Sequence, residues 1–420
     1  MSWISLISFI LCGIIIFLSF RPATDIFSPG RVFLFVWALA IGLTDLKLSG
    51  LQHQWTPSEW IQVLIGPVSF LLGVYSVYVL KLNTEIFSLN YLRDNIQLYR
   101  IDKSKLYKVV LLLFTLFLAG YIVIYLKTGE IPLFSSNPGK ARSNFTMFGI
   151  GLFLHNVVLV VFLTAVYVIL EKKNRFKKII LSLISLLATA MYALTLQRYQ
   201  IFMAILMITT LLYYTTHRIK FKTVFISALL IIVFFYLVSS FRAGEIIIYV
   251  LYKMSKMKYS TDYAIFTEPY MYVVMNLENF ARSITKIENY SFGYYTFDFV
   301  TAITGLKHWI EEYFMMIENP FLTSSYNTYS AFWTYYRDFG VLGIFLIPMI
   351  GGMALSSLFY SFRAKPTLMK LSIFGMFLFA AIFSFFNSAI GFLWFVYNML
   401  ILVVVVKYIT LDDRRAELDH

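Results

Sequence analysis

VVLLLFTLFLAGYIVIYL, residues 109–126, runs eighteen positions without a charged side chain and is bracketed by Lys108 and Lys127. A helix rises ~1.5 Å per residue, so about 20 such residues cross the ~30 Å hydrocarbon core of a bilayer. Comparable segments at 3–20, 31–49, 61–80, 149–170, 179–197, 199–216, 223–240, 341–362, 371–388 and 390–406 bring the expected crossings to eleven. Apolar residues make up 60% of the 420 positions and the mean hydropathy is +0.75, more than a soluble domain of this length can bury. The expected fold is an all-α, polytopic integral membrane helix bundle of about 11 transmembrane helices, one membrane domain over 1–420. The sixth and seventh segments are divided only by Gln197, Arg198, Tyr199 and Gln200.

Orientation follows from Lys and Arg in the short connections, which stay on the cytoplasmic side. The stretch 81–108 holds six of them, 171–178 five, and 217–222, 363–370 and the tail three each. With Arg21 and Arg31, 22 of the 35 basic residues fall on one side of an unbroken alternation, with the N-terminus outside and the C-terminus inside. The outer face keeps 13 basic and 13 acidic residues, so the inside carries the whole formal charge of +13. Short basic loops beside an anionic leaflet explain the pI near 9.5, and no nucleic-acid partner is expected.

Further function classes are excluded by what the chain lacks. Cys12 is the single cysteine, so neither an intramolecular disulfide nor a cysteine metal cluster is expected. No basic residue precedes the first apolar run, which reads as a retained helix and not a cleaved signal. Gly129 and the Gly139-Lys140-Ala141 stretch have the wrong spacing and ending for a phosphate-binding loop. Neither ATP nor a sugar nucleotide is expected as the energy source, which leaves an ion gradient or a pre-activated lipid-linked substrate.

Residues 241–340 form the one long polar interruption, an expected extracytoplasmic loop between the eighth and ninth helices. Within it, 246–259 alternates apolar and basic residues and 268–286 has helical spacing, which suits segments lying along the bilayer surface or over the bundle mouth. Glu278 and Arg282, four apart, read as an ordinary helical ion pair. Five arginines stand out on the outer face: Arg142 in a Pro, Gly and Ser-rich loop, Arg198 in LTLQRYQ, Arg242 in FRAGE, Arg282 in LENFARSITK and Arg337 in YYRDFGVLG. Interfacial snorkelling is the ordinary role for such residues. Arg198 sits in a turn so tight that its guanidinium stays at the membrane boundary, where functional roles predominate. Guanidinium forks bind phosphate oxygens bidentately, so together these residues suit a diphosphate. Candidates for proton transfer are Asp262, Glu268, Glu278, Asp298, His308, Glu311, Glu312 and Asp338. His155, about two turns inside the fifth helix, is either functional or an interhelical hydrogen-bond partner.

The order of features resembles the Wzy family of O-antigen and oligosaccharide repeat-unit polymerases. GEIPLFSSNPGKAR, LTLQRYQ, FRAGE, YMYVVMNLENF, NYSFGYYTFDFV and NTYSAFWTYYRDFGVLGIF carry the resemblance along nearly the whole chain. It implies a glycosyltransferase without metal or other cofactor in the cytoplasmic (inner) membrane, its active site on the periplasmic or extracellular face. Such enzymes join oligosaccharides carried on undecaprenyl diphosphate among membrane lipids, alongside a chain-length co-polymerase and a flippase. The resemblance implies diphosphate binding by Arg142, Arg198 and Arg242, with Arg282 and Arg337 as further candidates. It implies proton transfer by Asp338 or His308, although Asp338 also suits a cap on the following helix. An O-antigen ligase-like transferase, or a transporter of lipid-linked sugars, is the alternative reading.

Overall fold

The computed structural model describes residues 2–21, 24–82, 85–98, 100–216, 246–287, 289–306, 326 and 328–411, with the isolated positions 223, 226, 230 and 233. Its first helices are α1 (Trp3–Ser19), α2 (Pro29–Asp45), α3 (Pro57–Leu80), α4 (Leu89–Asn95) and α5 (Lys103–Thr128). There follow α6 (Pro138–Asn144), α7 (Val157–Leu170), α8 (Arg175–Leu194), α9 (Tyr199–Thr215) and α10 (Ile246–Met254). The remainder are α11 (Thr267–Ser283), α12 (Asp298–Thr304), α13 (Ala331–Ala364), α14 (Leu368–Ile382) and α15 (Leu393–Ile409). Among the described residues, extended chain makes only two isolated bridges, Ser49 with Met257 and Ile101 with Thr410.

Among the described residues, six helical stretches are long and apolar enough to cross a membrane: Pro57–Leu80, Lys103–Phe134, Ile150–Leu170, Arg175–Leu194, Ala331–Ala364 and Leu368–Phe385. Helices α1, α9 and α15 are apolar but only 17 residues long. The expected segment 31–49 corresponds to α2, which stops at Asp45 because the chain turns through Lys47 at φ 50°. The expected segment 223–240 lies outside the described residues, apart from four single positions.

Local sequence sets the helix boundaries. Pro57 opens α3 with its fixed φ, while Thr56 and Glu59 cap each other's backbone amides in a reciprocal box. Asp102 accepts the amides of Ser104 and Lys105 to start α5, and Gly129 closes it at φ 74°.

The chain divides into two compact units. The first comprises Met1–Ile86, Gly244–Ala364 and Phe377–Val396. In it α3 and α13 cross with their backbones in contact, since a Cβ on Gly73 would lie 2.0 Å from the Met349 carbonyl oxygen and one on Gly352 2.1 Å from that of Phe70. Only hydrogen fits at those two positions. Of the two expectations for 268–286, lying along the bilayer surface or packing over the bundle mouth, the structure shows a packed helix. Met271, Val274, Met275, Leu277, Phe280 and Ala281 of α11 are all buried, and the helix packs against α2 and α3 as core.

The second unit comprises Phe87–Ala243, Lys365–Met376 and Tyr397–His420. Helix α7 is its centre, with Val158, Leu159, Val160, Leu163 and Val166 fully buried against α5, α8 and α9. A helix apolar on every face suits such burial.

Candidate functional site

In the first unit the closing motif of the polar region is built around a break in α13. Gly340 takes φ 61° and ψ −145° between two helical stretches, and a Cβ there would lie 2.6 Å from the Tyr290 hydroxyl. The break frees the carbonyls of Arg337 and Asp338, which accept the amides of Ser291 and Phe292 at 3.1 Å each. Asp338, fully buried, then spends its carboxylate on the same loop. One oxygen accepts from the Ser291 hydroxyl at 2.5 Å and the Tyr295 amide at 3.3 Å, the other from the Thr296 amide at 2.6 Å. Asp338 therefore anchors residues 291–296 and does not cap the helix that follows it.

One turn of chain displays Arg337 differently. Its side chain is fully buried, its Nη1 donates to the Asn289 carbonyl, and its guanidinium lies 5.9 Å from the centre of the Tyr295 ring. Among the described residues, Nε and Nη2 have no hydrogen-bond partner. Those two N–H groups form the side-on edge that takes two oxygens of one phosphate or carboxylate. Removing an ammonium- or guanidinium-sized charge from water without a counter-charge costs several kcal/mol. The buried Trp333 Nε1 and Thr296 Oγ1 likewise have no hydrogen-bond partner among the described residues. Trp333 stands 5.3 Å from Tyr295 and stacks on Tyr329 at 3.8 Å with 11° between the planes. Burial pushes the Tyr329 hydroxyl well up in pKa, with Tyr295 adding to the rise and the Arg337 charge opposing it.

Glu278 occupies a second constellation in this unit, and its expected pairing with Arg282 is corrected. Its fully buried carboxylate accepts from Lys47 Nζ and Trp55 Nε1 at 2.9 Å each and from the His53 amide at 2.8 Å. The His53 ring closes the group, with Nδ1 at 2.5 Å from Glu278 and Nε2 at 2.9 Å from Glu59. Lys47 also sits 4.4 Å over the Trp55 ring. Burial lowers the Lys47 pKa, although Glu278 foremost and then Asp45 and Glu59 pull it up. Arg282 is exposed at the end of α11, apart from this group. Among the described residues no three His, Cys, Asp or Glu side chains converge as metal ligands would.

In the second unit Arg198 precedes α9 after a turn in which Leu196 takes φ 58°, and its side chain is buried. On either side of it, Gln197 and Gln200 direct their carbonyl oxygens to the buried Tyr192 hydroxyl. Arg142, half-buried in α6, is close enough to act on the same hydroxyl. The loop arginine and the Arg198 turn therefore both lie near Tyr192. The His155 Nδ1 takes the Gln200 amide at 2.9 Å, and the neighbouring Asn156 accepts from Tyr397 at 2.9 Å. Arg242 and His308 lie outside the described residues.

The chain matches no family model, and no curated protein or solved structure matches it. Its chemistry is therefore read from its own residues. Sequence reading passed over Lys47, His53, Trp55 and Glu59, although a histidine, a tryptophan and two oppositely charged residues within one short connection were a usable signal. Glu278, the common partner of Lys47, His53 and Trp55, stands more than 200 positions away.

Proposed function

We propose that this protein is a multi-pass glycosyltransferase of the cytoplasmic membrane that polymerises undecaprenyl-diphosphate-linked oligosaccharide units into O-antigen, capsule or exopolysaccharide. The observation that carries the reading is the unpartnered side-on edge of the buried Arg337, a built receptor for a phosphate oxygen pair beside aromatic rings that suit sugar faces. In this reading eleven helices cross the membrane with the N-terminus outside and the C-terminus inside, so that residues 241–340 face outward. The family resemblance of the motifs quoted above supports the same substrate, with membrane lipids, a co-polymerase and a flippase as partners.

The acceptor hydroxyl oxygen bonds to the anomeric carbon of the donor sugar as that carbon's bond to diphosphate oxygen breaks. Lipid diphosphate leaves with the electron pair, and the hydroxyl proton passes to a base. Arg337 meets the charge that grows on the diphosphate, and a preorganised donor of this kind stabilises the transition state more than the ground state. Arg142 and Arg198 offer the same phosphate chemistry at Tyr192, and Arg242 and Arg282 are outer-face candidates. Asp338 is a positioning residue, since its three donors hold the loop that carries Tyr295 and Thr296. His308 is the proton acceptor in this scheme.

The test is purified protein in nanodiscs with a lipid-linked oligosaccharide, its products resolved by size. A ladder is expected, and Arg337→Lys, which keeps the charge and loses the fork, slows it by about 10²–10³ while insertion is retained. Transfer only to an acceptor other than a lipid-diphosphate-linked unit would identify a ligase, and movement without a new bond a flippase. Either outcome overturns the polymerase reading.

A further inference from the structure

The group around Glu278 has its own chemistry, independent of glycosyl transfer. Both ring nitrogens of His53 face carboxylate oxygens, Glu278 at 2.5 Å and Glu59 at 2.9 Å. A neutral imidazole has one N–H, and an ionised carboxylate only accepts. Two such contacts at once need one extra proton on the ring or on a carboxyl group. Both carboxylates are already acceptors elsewhere. Glu59 Oε2 takes the Thr56 amide at 2.6 Å and the Thr56 hydroxyl at 3.0 Å, while Glu278 takes Lys47, Trp55 and the His53 amide. The proton belongs on the ring.

Charge balance agrees. With His53 doubly protonated, it and Lys47 carry two positive charges against those of Glu278 and Glu59. The surrounding elements keep that balance. From the end of α2, Asp45 acts on Lys47, and from the segment after α10, Lys258 donates its Nζ to the Lys47 carbonyl at 2.8 Å. From α11 itself, Tyr270 contributes a hydroxyl held by Leu43, Leu48 and Gln52. About a third of the His53 side chain is exposed, so water reaches a proton that the buried carboxylates hold.

We propose that His53 is a proton-binding site that latches α11 to the start of α3. With the proton bound, the ring bridges Glu278 to Glu59. On its loss the ring keeps Glu278, where the His53 amide is anchored as well, and an Nε2 lone pair is turned toward the Glu59 oxygen. That edge parts. Raising the pH therefore releases the His53 ring from Glu59 at the α3 terminus, while the Thr56–Glu59 cap and the Lys47–Glu278 pair persist.

The test is hydrogen exchange of the full chain in nanodiscs from pH 5 to 9, corrected for intrinsic rates and read on peptides covering residues 50–60. Protection is expected to fall by about tenfold on raising the pH, the factor that loss of one charge-assisted hydrogen bond brings. His53→Gln and Glu59→Gln are each expected to show protection that does not change with pH. A wild-type chain equally protected at both extremes overturns the latch, and so does an undiminished fall in Glu59→Gln. The second variant carries the test alone where His53→Gln fails to fold.

Discussion

Glu278→Gln is the sharpest perturbation available to the first unit. The wild-type carboxylate is fully buried and receives Lys47 Nζ, Trp55 Nε1, the His53 amide and the His53 ring. An amide of the same shape keeps one acceptor oxygen and puts an NH₂ where the other accepted. Lys47, itself buried, is then a cation without its counter-charge. Breaking a buried pair by removing one partner costs about 3–5 kcal/mol, and that exceeds the ~1–3 kcal/mol for a lost neutral acceptor. The loss expected is therefore about 3–5 kcal/mol, read from reversible unfolding in mixed micelles. Adding Lys47→Met removes the stranded charge, so the double variant is expected to regain most of that loss. A Glu278→Gln loss below about 1 kcal/mol, or a double variant no more stable than the single one, would refute the reasoning.

Two further outcomes are expected. Gly352→Ala puts a methyl group 2.1 Å from the Phe70 carbonyl oxygen, so α3 and α13 must separate, and the thermal midpoint should fall by the equivalent of at least about 1–3 kcal/mol; an unchanged midpoint would show that this crossing is looser than described. The Asn174 and Lys173 amides, then the Lys103 charge, hold the Glu171 carboxyl down at about 2. A depressed acid adds stability above its unfolded pKa and loses it as pH falls through the folded one, so exchange protection of residues 171–175 should persist at pH 4 and fade toward pH 2. Protection already lost at pH 4, or equal in Glu171→Gln throughout, would contradict it.

Much of the fold was legible in segments. The run 109–126 lies wholly inside α5, and 61–80 inside α3, because a charge-free stretch of that length has few other stable states in or near a bilayer. The helical spacing of 268–286 was visible too, and α11 is there. What covers it was not. A polar residue such as Glu278 looks surface-bound when only its neighbours in sequence are known, and its nearest basic neighbour at helical spacing, Arg282, was the wrong partner. Asp338 shows the same limit, since it reads as a helix cap or a base until the Ser291 and Thr296 donors appear against it.

By itself, then, the sequence determined that the chain is helical, which segments are apolar enough for a membrane, and that basic residues with phosphate-binding chemistry recur between them. Hydropathy and capping act over one or a few turns, so they survive without knowledge of the chain's path. Only the tertiary structure decided that Arg337 is buried with a free edge, that Asp338 is committed to a loop, and that Lys47, His53 and Glu59 gather about Glu278. Those facts depend on which groups share a desolvated volume. Such sharing is set by chain segments from about forty to more than two hundred residues apart, and local patterns do not encode it.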